Sequence, residues 1–327
     1  MNTLDLIFRD NSGRLRSGWR AAIFLFAFIV ISIVAGTIQQ IVVSGNGSNR
    51  GTSSSFILGL NGLLLTMAAI FLGWGCGRIF EKVPFRSIGA YFSRGWLVHF
   101  ISGCIAGSAA LSFAVLIALA FGGERFRENT ENDTRIILIS LGISMLVFAA
   151  AAAFEEALFR GYLLQTFARS GLAWLAVAIT SVFFGLVHLS NPNVTAISTT
   201  NTVLAGLMFS VSYLKTRDLW FVWGLHLMWN WMQGSFFGVE VSGLTSISAA
   251  PFLKEIDFGP AWLTGSSYGI EGGIACTITL ILTTIAIWYF PFFRPDPELV
   301  VLTSPGFENA VLQRREILEA ASMPPGS

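Results

Sequence analysis

The chain carries long apolar runs that charge hardly interrupts, beginning with AAIFLFAFIVISIVAGTIQQIVV at Ala21–Val43. Lipid offers backbone groups no hydrogen-bond partner, so an apolar run of about 18 or more residues is read as a membrane-spanning helix. Similar runs occur at Phe56–Gly77, Trp96–Phe121, Ile136–Ala168, Leu172–Leu189, Val194–Leu214, Leu219–Gly238 and Gly269–Phe290. With 54% apolar and only 12% charged residues over 327 positions, the chain lacks the charge that a soluble surface of this size needs. The fold class expected is all-α: a polytopic membrane protein of about eight transmembrane helices embedded in a lipid bilayer. The fourth run is too long for one untilted crossing, so it either tilts steeply or extends beyond the bilayer.

Charge fixes an expected orientation. If the N-terminus is cytoplasmic, fourteen basic residues fall in inner loops and five (Arg50, Arg125, Arg127, Arg135 and Lys254) in outer ones. The positive-inside rule then places both termini in the cytoplasm of a multi-pass protein of the cell membrane. The polar, basic stretch before the first run and the length of that run argue for a retained anchor rather than a cleaved signal. A net charge of +1 supplies no basic face for nucleic acid. Cys76, Cys104 and Cys276 all lie in apolar runs, as buried single thiols do. The proline-rich tail after Phe290 leaves room for at most one short helix, around Asn309–Ala321.

Against this background a few polar residues stand out. FEEALFRG (Phe154–Gly161) puts three charges inside the fourth span. Each would cost roughly 2.5–3.5 kcal/mol at the bilayer centre. Glu156 and Arg160 are four apart, acid first, the favourable order for an ion pair on one helix face. Glu155 points about 100° away and has no partner on its own helix; a lone carboxylate in a dry site is a candidate general base. The fifth span ends in FFGLVH, where Phe184 lies one turn before His188 and is placed to wall the imidazole from lipid. In the seventh, HLMWN sets His226 and Asn230 on one face. At 1.5 Å per residue, Glu155 lies about 20 Å from the Arg169 end, His188 about 25 Å from Gly171, and His226 and Asn230 about 12 and 18 Å from Asp218. Tilt absorbs that spread, so the three spans can deliver these residues to one site.

Other polar residues read as structural. His99 beside Trp96 is interfacial, Glu271 in YGIEGG sits at the outer interface, and Asn61 and Asn201 are packing or pore-lining groups.

Amide hydrolysis needs a base for water and donors for the developing oxyanion. Glu155 assisted by His188 can activate water, His226 and Asn230 can hydrogen-bond the oxyanion, and Glu156 with Arg160 can hold the acidic helix in register. No H-E-x-x-H motif is present. Glu155, His188 and His226 could alternatively hold a zinc ion with one position open for water; the spacing does not choose between the two.

EEALFRG fits EExxxR, FGLVH fits FxxxH and HLMWN fits HxxxN. In order and spacing these motifs resemble the CPBP family of intramembrane proteases, which includes type II CAAX prenyl endopeptidases and bacteriocin-processing and immunity proteins. The resemblance covers roughly Ile136–Gly238. It implies that Glu155 and His188 activate water, that His226 and Asn230 form the oxyanion hole, and that Glu156 and Arg160 support them. It also implies grouping with metalloendopeptidases, although a metal-independent glutamate mechanism is argued for the same family. The expected organisation is a cytoplasmic segment (1–20), N-terminal spans (21–135), the protease-like core (136–238), an outer loop with the last span (239–290), and a cytoplasmic tail (291–327). The substrate expected is a membrane-associated peptide or protein. Two rivals share the composition: a proton-coupled transporter, which also buries acids and histidines, and a non-catalytic immunity or scaffold protein. Against the transporter, no repeated pair of broken helices is visible.

Overall fold

The computed structural model describes residues 7–10, 13–45, 52–245, 247–295 and 297–307. Helices α1 (Ser17–Gly45), α2 (Thr52–Cys76) and α3 (Trp96–Ala120) lead into the strand β1 (Glu124–Glu128). Then come α4 (Thr134–Glu156), α5 (Leu164–Arg169), α6 (Ala173–Val187), α7 (Ala196–Thr216) and α8 (Leu219–Trp231). The strand β2 (Leu253–Asp257) pairs antiparallel with β1, Glu124 opposite Asp257 and Phe126 opposite Glu255. The short α9 (Ala261–Thr264), α10 (Ile274–Tyr289) and α11 (Pro297–Thr303) complete the chain.

The protein is a polytopic all-α membrane protein, and each of the eight expected spans is occupied by helix. Among the described residues, five helical runs are long and apolar enough to cross a membrane by length and composition, the longest being the 36 residues Thr134–Arg169. The other three differ for readable reasons. Helix α7 carries Ser198, Thr199, Thr200, Asn201 and Thr202 in its first two turns, α8 is only 13 residues long before it changes pitch, and α10 has 16. The last span starts at Ile274 rather than Gly269, because Gly269 takes φ 84° and ψ 179°, outside any helix. Lipid-facing side chains such as Phe26, Ile33, Leu146 and Ile105 remain exposed, as a bilayer requires and water would not allow.

Among the described residues, three π-helical segments interrupt the α pitch: Gly77–Glu81, Ala157–Leu163 and Met232–Phe237. The second joins α4 to α5 directly after Glu156, and the third follows α8. Extra residues per turn reset which side chains face the interior, and such segments recur at functional positions. Sequence periodicity did not reveal them.

Close helix contact is made by glycine. A Cβ on Gly103 would stand 2.0 Å from the Phe221 carbonyl oxygen, and one on Gly107 would stand 2.2 Å from that of Leu225. On the other side, a Cβ on Gly224 would lie 2.4 Å from the Phe100 oxygen. Gly103 and Gly107, four apart on α3, form the small-xxx-small face that lets membrane helices approach backbone to backbone. Helix α8, which carries His226 and Asn230, is therefore seated against α3. Its N-terminus is capped by Asp218, whose Oδ1 accepts from Trp220 N (3.0 Å) and Phe221 N (3.1 Å). The other carboxylate oxygen contacts His99 Nδ1, so His99 is tied to the start of α8 rather than left at the interface.

Basic residues counted in loops are not all loose. Arg20 and Arg169 both grip Glu81, with Arg20 Nη1 at 2.8 Å from Oε1 and Arg169 Nη2 at 3.0 Å from Oε2. This buried triad joins α1, the π-helical segment that follows α2, and α5 at the end of the bundle opposite the β hairpin. In the tail, the described helix is α11, with Leu299 and Leu302 buried and Arg86 Nη1 on Glu298 at 2.8 Å; the helix expected at Asn309–Ala321 lies outside the described residues.

Candidate active site

Glu155, His188, His226 and Asn230 line one cavity of about 380 Å³, together with Phe154, Phe184, Phe209, Trp229 and Glu271. Glu155 comes from the last turn of α4, His188 from the 3-10 turn that ends α6, and His226 and Asn230 from α8. Three helices thus bring the four residues to one space.

Glu156 stands behind that wall, 1% exposed. Its Oε1 accepts from Arg160 Nη1 at 3.1 Å, the i,i+4 pair expected, and also from His226 Nδ1 at 2.7 Å. The second contact was not legible in the sequence, since 70 residues separate the partners. One carboxylate oxygen thus links a guanidinium on its own helix to an imidazole on α8. Arg160, wholly buried, donates through Nη2 to the Gly206 carbonyl at 2.9 Å. Its guanidinium lies over Phe184 (4.8 Å), Phe209 (5.2 Å) and Phe159 (5.6 Å). Aromatic faces attract a cation once water is excluded, which is how a charge this deep is tolerated. Phe184 accordingly does more than screen His188 from lipid: at 3% exposure its ring lies between the imidazole, 4.8 Å away, and the buried arginine.

Hydrogen-bond geometry fixes one histidine tautomer. His188 Nδ1 lies 2.7 Å from the Phe184 carbonyl oxygen. A carbonyl only accepts, so Nδ1 carries a proton, and Nε2 of the neutral ring has its lone pair free. His226 Nδ1 likewise donates to Glu156, leaving its Nε2 to face Glu155 Oε2 at 3.8 Å. That separation is too long for a hydrogen bond. Glu155 Oε2 is itself buried and has no hydrogen-bond partner among the described residues. An unpartnered buried carboxylate oxygen is costly unless something polar meets it, and a cavity of this size has room for water. Phe209 stacks on the His226 ring at 4.4 Å and fixes its plane.

Glu271, expected at the outer interface, lines the same cavity. Its Oε2 accepts from Ser242 N (2.7 Å) and Ser242 Oγ (2.8 Å), and its Oε1 from Trp229 Nε1 (3.2 Å). It thereby clamps the segment that carries Val241, Ser242 and Leu244 of the cavity wall to α8. Asn201 is fully used nearby, donating to the Glu271 and Gly273 carbonyls and accepting from Thr277 Oγ1. No signal in the sequence joins Glu271 to Trp229 or Ser242, because the contact closes through the turn at Gly269.

The zinc alternative does not fit. No group of three or more His, Cys, Asp or Glu side chains among the described residues is arranged to hold a metal ion. Glu155, His188 and His226 share the cavity without forming a ligand set.

No curated protein matches the chain. The model of the family described as type II CAAX prenyl endopeptidase Rce1-like matches residues 136–232, the stretch that contains Glu155, Glu156, Arg160, His188, His226 and Asn230. Over this segment, less than a third of its length, the chain is similar to the Rce1-like type II CAAX prenyl endopeptidase family.

Proposed function

We propose that the protein is an intramembrane endopeptidase that hydrolyses peptide bonds of membrane-associated substrates with water activated by Glu155. The observation that carries this reading is the buried, unpartnered Glu155 oxygen facing His226 Nε2 across 3.8 Å, in a cavity that His188 and Asn230 also line. A water in that cavity gives one proton to Glu155 while its other hydrogen is accepted by His188 Nε2. The oxygen attacks the scissile carbonyl carbon, and charge moves onto the carbonyl oxygen. His226 Nε2–H and the Asn230 amide donate to that oxyanion; His226 has a proton to give there when both ring nitrogens are protonated, the form to which the Glu156 carboxylate is complementary. Glu155 then returns its proton to the amide nitrogen, the C–N bond breaks, and a carboxylic acid and an amine leave; passing the acid's proton to the amine gives the carboxylate and the ammonium. Glu156 touches no substrate in this scheme. It acts as a positioning residue by holding His226. The cavity lies among spans, which supports a substrate reached from lipid, and the basic-residue balance supports cytoplasmic termini in the cell membrane.

The test is cleavage of a peptide library by the purified full-length chain in detergent. Glu155→Gln and His188→Ala are expected to abolish product while leaving the melting temperature near wild type, and Asn230→Ala to slow turnover by about 10²–10³-fold, as loss of one oxyanion donor does. Chelator is expected to leave the rate unchanged. Full activity in Glu155→Gln, or ion-coupled uptake without cleavage, overturns the reading.

A further inference from the structure

His188 and Asn230 face one cavity from different elements, the 3-10 turn after α6 and the end of α8. A run of hydrogen bonds crosses the cavity wall between them. Asn191 N donates to the His188 carbonyl at 3.1 Å, and Asn191 Nδ2 donates to the Ser242 carbonyl at 3.1 Å. Ser242 N and Oγ both donate to Glu271 Oε2, at 2.7 and 2.8 Å. Glu271 Oε1 accepts from Trp229 Nε1 at 3.2 Å, and Trp229 immediately precedes Asn230. Ser242 and Glu271 lie beyond the matched residues 136–232.

The centre of this run is a tight turn. Val241 N donates to Leu244 O at 3.2 Å and Leu244 N to Val241 O at 2.9 Å. Between them Ser242 takes φ 51° and Gly243 φ 79°, the positive pair that a type I′ turn requires. Serine rarely adopts such a φ, and it persists where the surroundings enforce it. Here one carboxylate takes both the amide and the hydroxyl of Ser242. Gly243 is held from the other side. Its N donates to Tyr268 O at 3.0 Å, and a Cβ would stand 2.2 Å from the Pro192 carbonyl oxygen. The turn is thus pressed against the α6–α7 connection, which brings it within reach of Asn191.

The chemistry of the run asks for an acid at position 271. An indole N–H and a backbone N–H only donate, so the group between Trp229 and Ser242 must accept at both ends. Glutamine accepts at one end and turns its NH₂ against a donor at the other. Trp229 is only 3% exposed, so water is poorly placed to make good the loss.

We propose that Glu271 is a positioning residue that sets the separation between His188 and Asn230 by tying the Ser242–Gly243 turn to α8. Its consequence for turnover rests on the cleavage reading above. There, water activated on the His188 side attacks a carbonyl whose oxygen Asn230 holds, and a misplacement of about 1 Å costs on the order of 10²-fold in rate.

The experiment measures peptide cleavage and amide exchange on the full-length chain in detergent. Glu271→Gln is expected to lower kcat about 10–100-fold with KM within about twofold, and to speed exchange in both 188–192 and 241–244. Trp229→Phe cuts the same run at α8, so combining it with Glu271→Gln should lower kcat no further. Ser242→Ala loses the hydroxyl contact alone and should lower kcat about threefold, again at constant KM; it serves where Glu271→Gln does not fold. A raised KM at unchanged kcat overturns the inference, because Glu271 would then bind substrate itself. Additive losses in the double variant, or faster exchange in 241–244 alone, overturn it too. If the wild type cleaves nothing, the cleavage reading fails on its own and exchange still decides the tie: acceleration in both segments upholds it, and none overturns it.

Discussion

Replacing Glu156 with glutamine separates what the buried carboxylate does for the fold from what it does for His226. The side chain keeps its shape and loses its charge. Arg160, with no exposed surface, then retains the Gly206 carbonyl and three aromatic faces but no hydrogen-bonded counter-charge. At an effective dielectric of about 20, two charges about 4 Å apart attract by about 4 kcal/mol, and breaking a buried pair from one side costs about 3–5 kcal/mol. The melting temperature of Glu156→Gln should fall by on the order of 5–10 °C. A second change, Arg160→Met, removes the stranded charge, and buried pairs replaced by apolar groups of similar volume are often no less stable. The double variant should therefore regain most of the lost melting temperature. It should not regain cleavage, because His226 Nδ1 still lacks the carboxylate at 2.7 Å. The assay is melting in detergent beside kcat on a cleaved peptide, for wild type, both single variants and the double. Wild-type kcat in the double variant would refute the claim that Glu156 acts through His226. An unchanged melting temperature in Glu156→Gln would refute the buried pairing itself.

Two further outcomes follow from packing and charge. Gly107→Leu should displace α8 from α3 and cut cleavage along with stability, since even a Cβ would meet the Leu225 oxygen at 2.2 Å, whereas Gly75→Ala, with nothing within 4 Å, should be neutral or slightly stabilising; melting and turnover of both variants check this. In the β hairpin, burial and the nearby Asp257 carboxylate push Glu124 up to about 8, and burial with Glu124, Glu240 and Asp257 pushes Glu255 up to about 9. The folded hairpin favours neutral carboxyls, so its stability is full below about pH 4, declines as pH rises toward 8–9, and levels off above. Amide exchange at residues 124–128 and 253–257, corrected for intrinsic rate, should show that loss of protection, and Glu124→Gln should flatten it.

Much of the candidate site was open to sequence reasoning because its grouping rests on helix geometry. Charge is too costly in an apolar run to be incidental, and an i,i+4 spacing fixes a shared face whatever the tertiary fold. Glu156 with Arg160, and His226 with Asn230, were legible for that reason, as were the membrane class and the helical runs. The distance of His226 from Glu156 was not, because it depends on how α8 packs on α4, where Trp223 and Trp231 donate to the Ala149 and Leu141 carbonyls. Glu271 was read as peripheral because nothing local shows that a left-handed glycine turns it inward onto Ser242 and Trp229. The hairpin joins strands more than a hundred residues apart, with no turn signal between them. Arg20 and Arg169 look like loop charges until Glu81 is found between them.

The sequence by itself determined that this chain lives in lipid, where helices run, and which polar residues lipid would not hold without a reason, since transfer cost and helical period are local properties. The tertiary structure alone decided that those residues face one cavity, that one buried oxygen serves both an arginine and an imidazole, and that a second arginine cluster lies at the opposite end from the hairpin. Such pairings depend on how closely helices distant in sequence approach, and close approach is set by backbone contact at a few glycines and by three breaks in helical pitch.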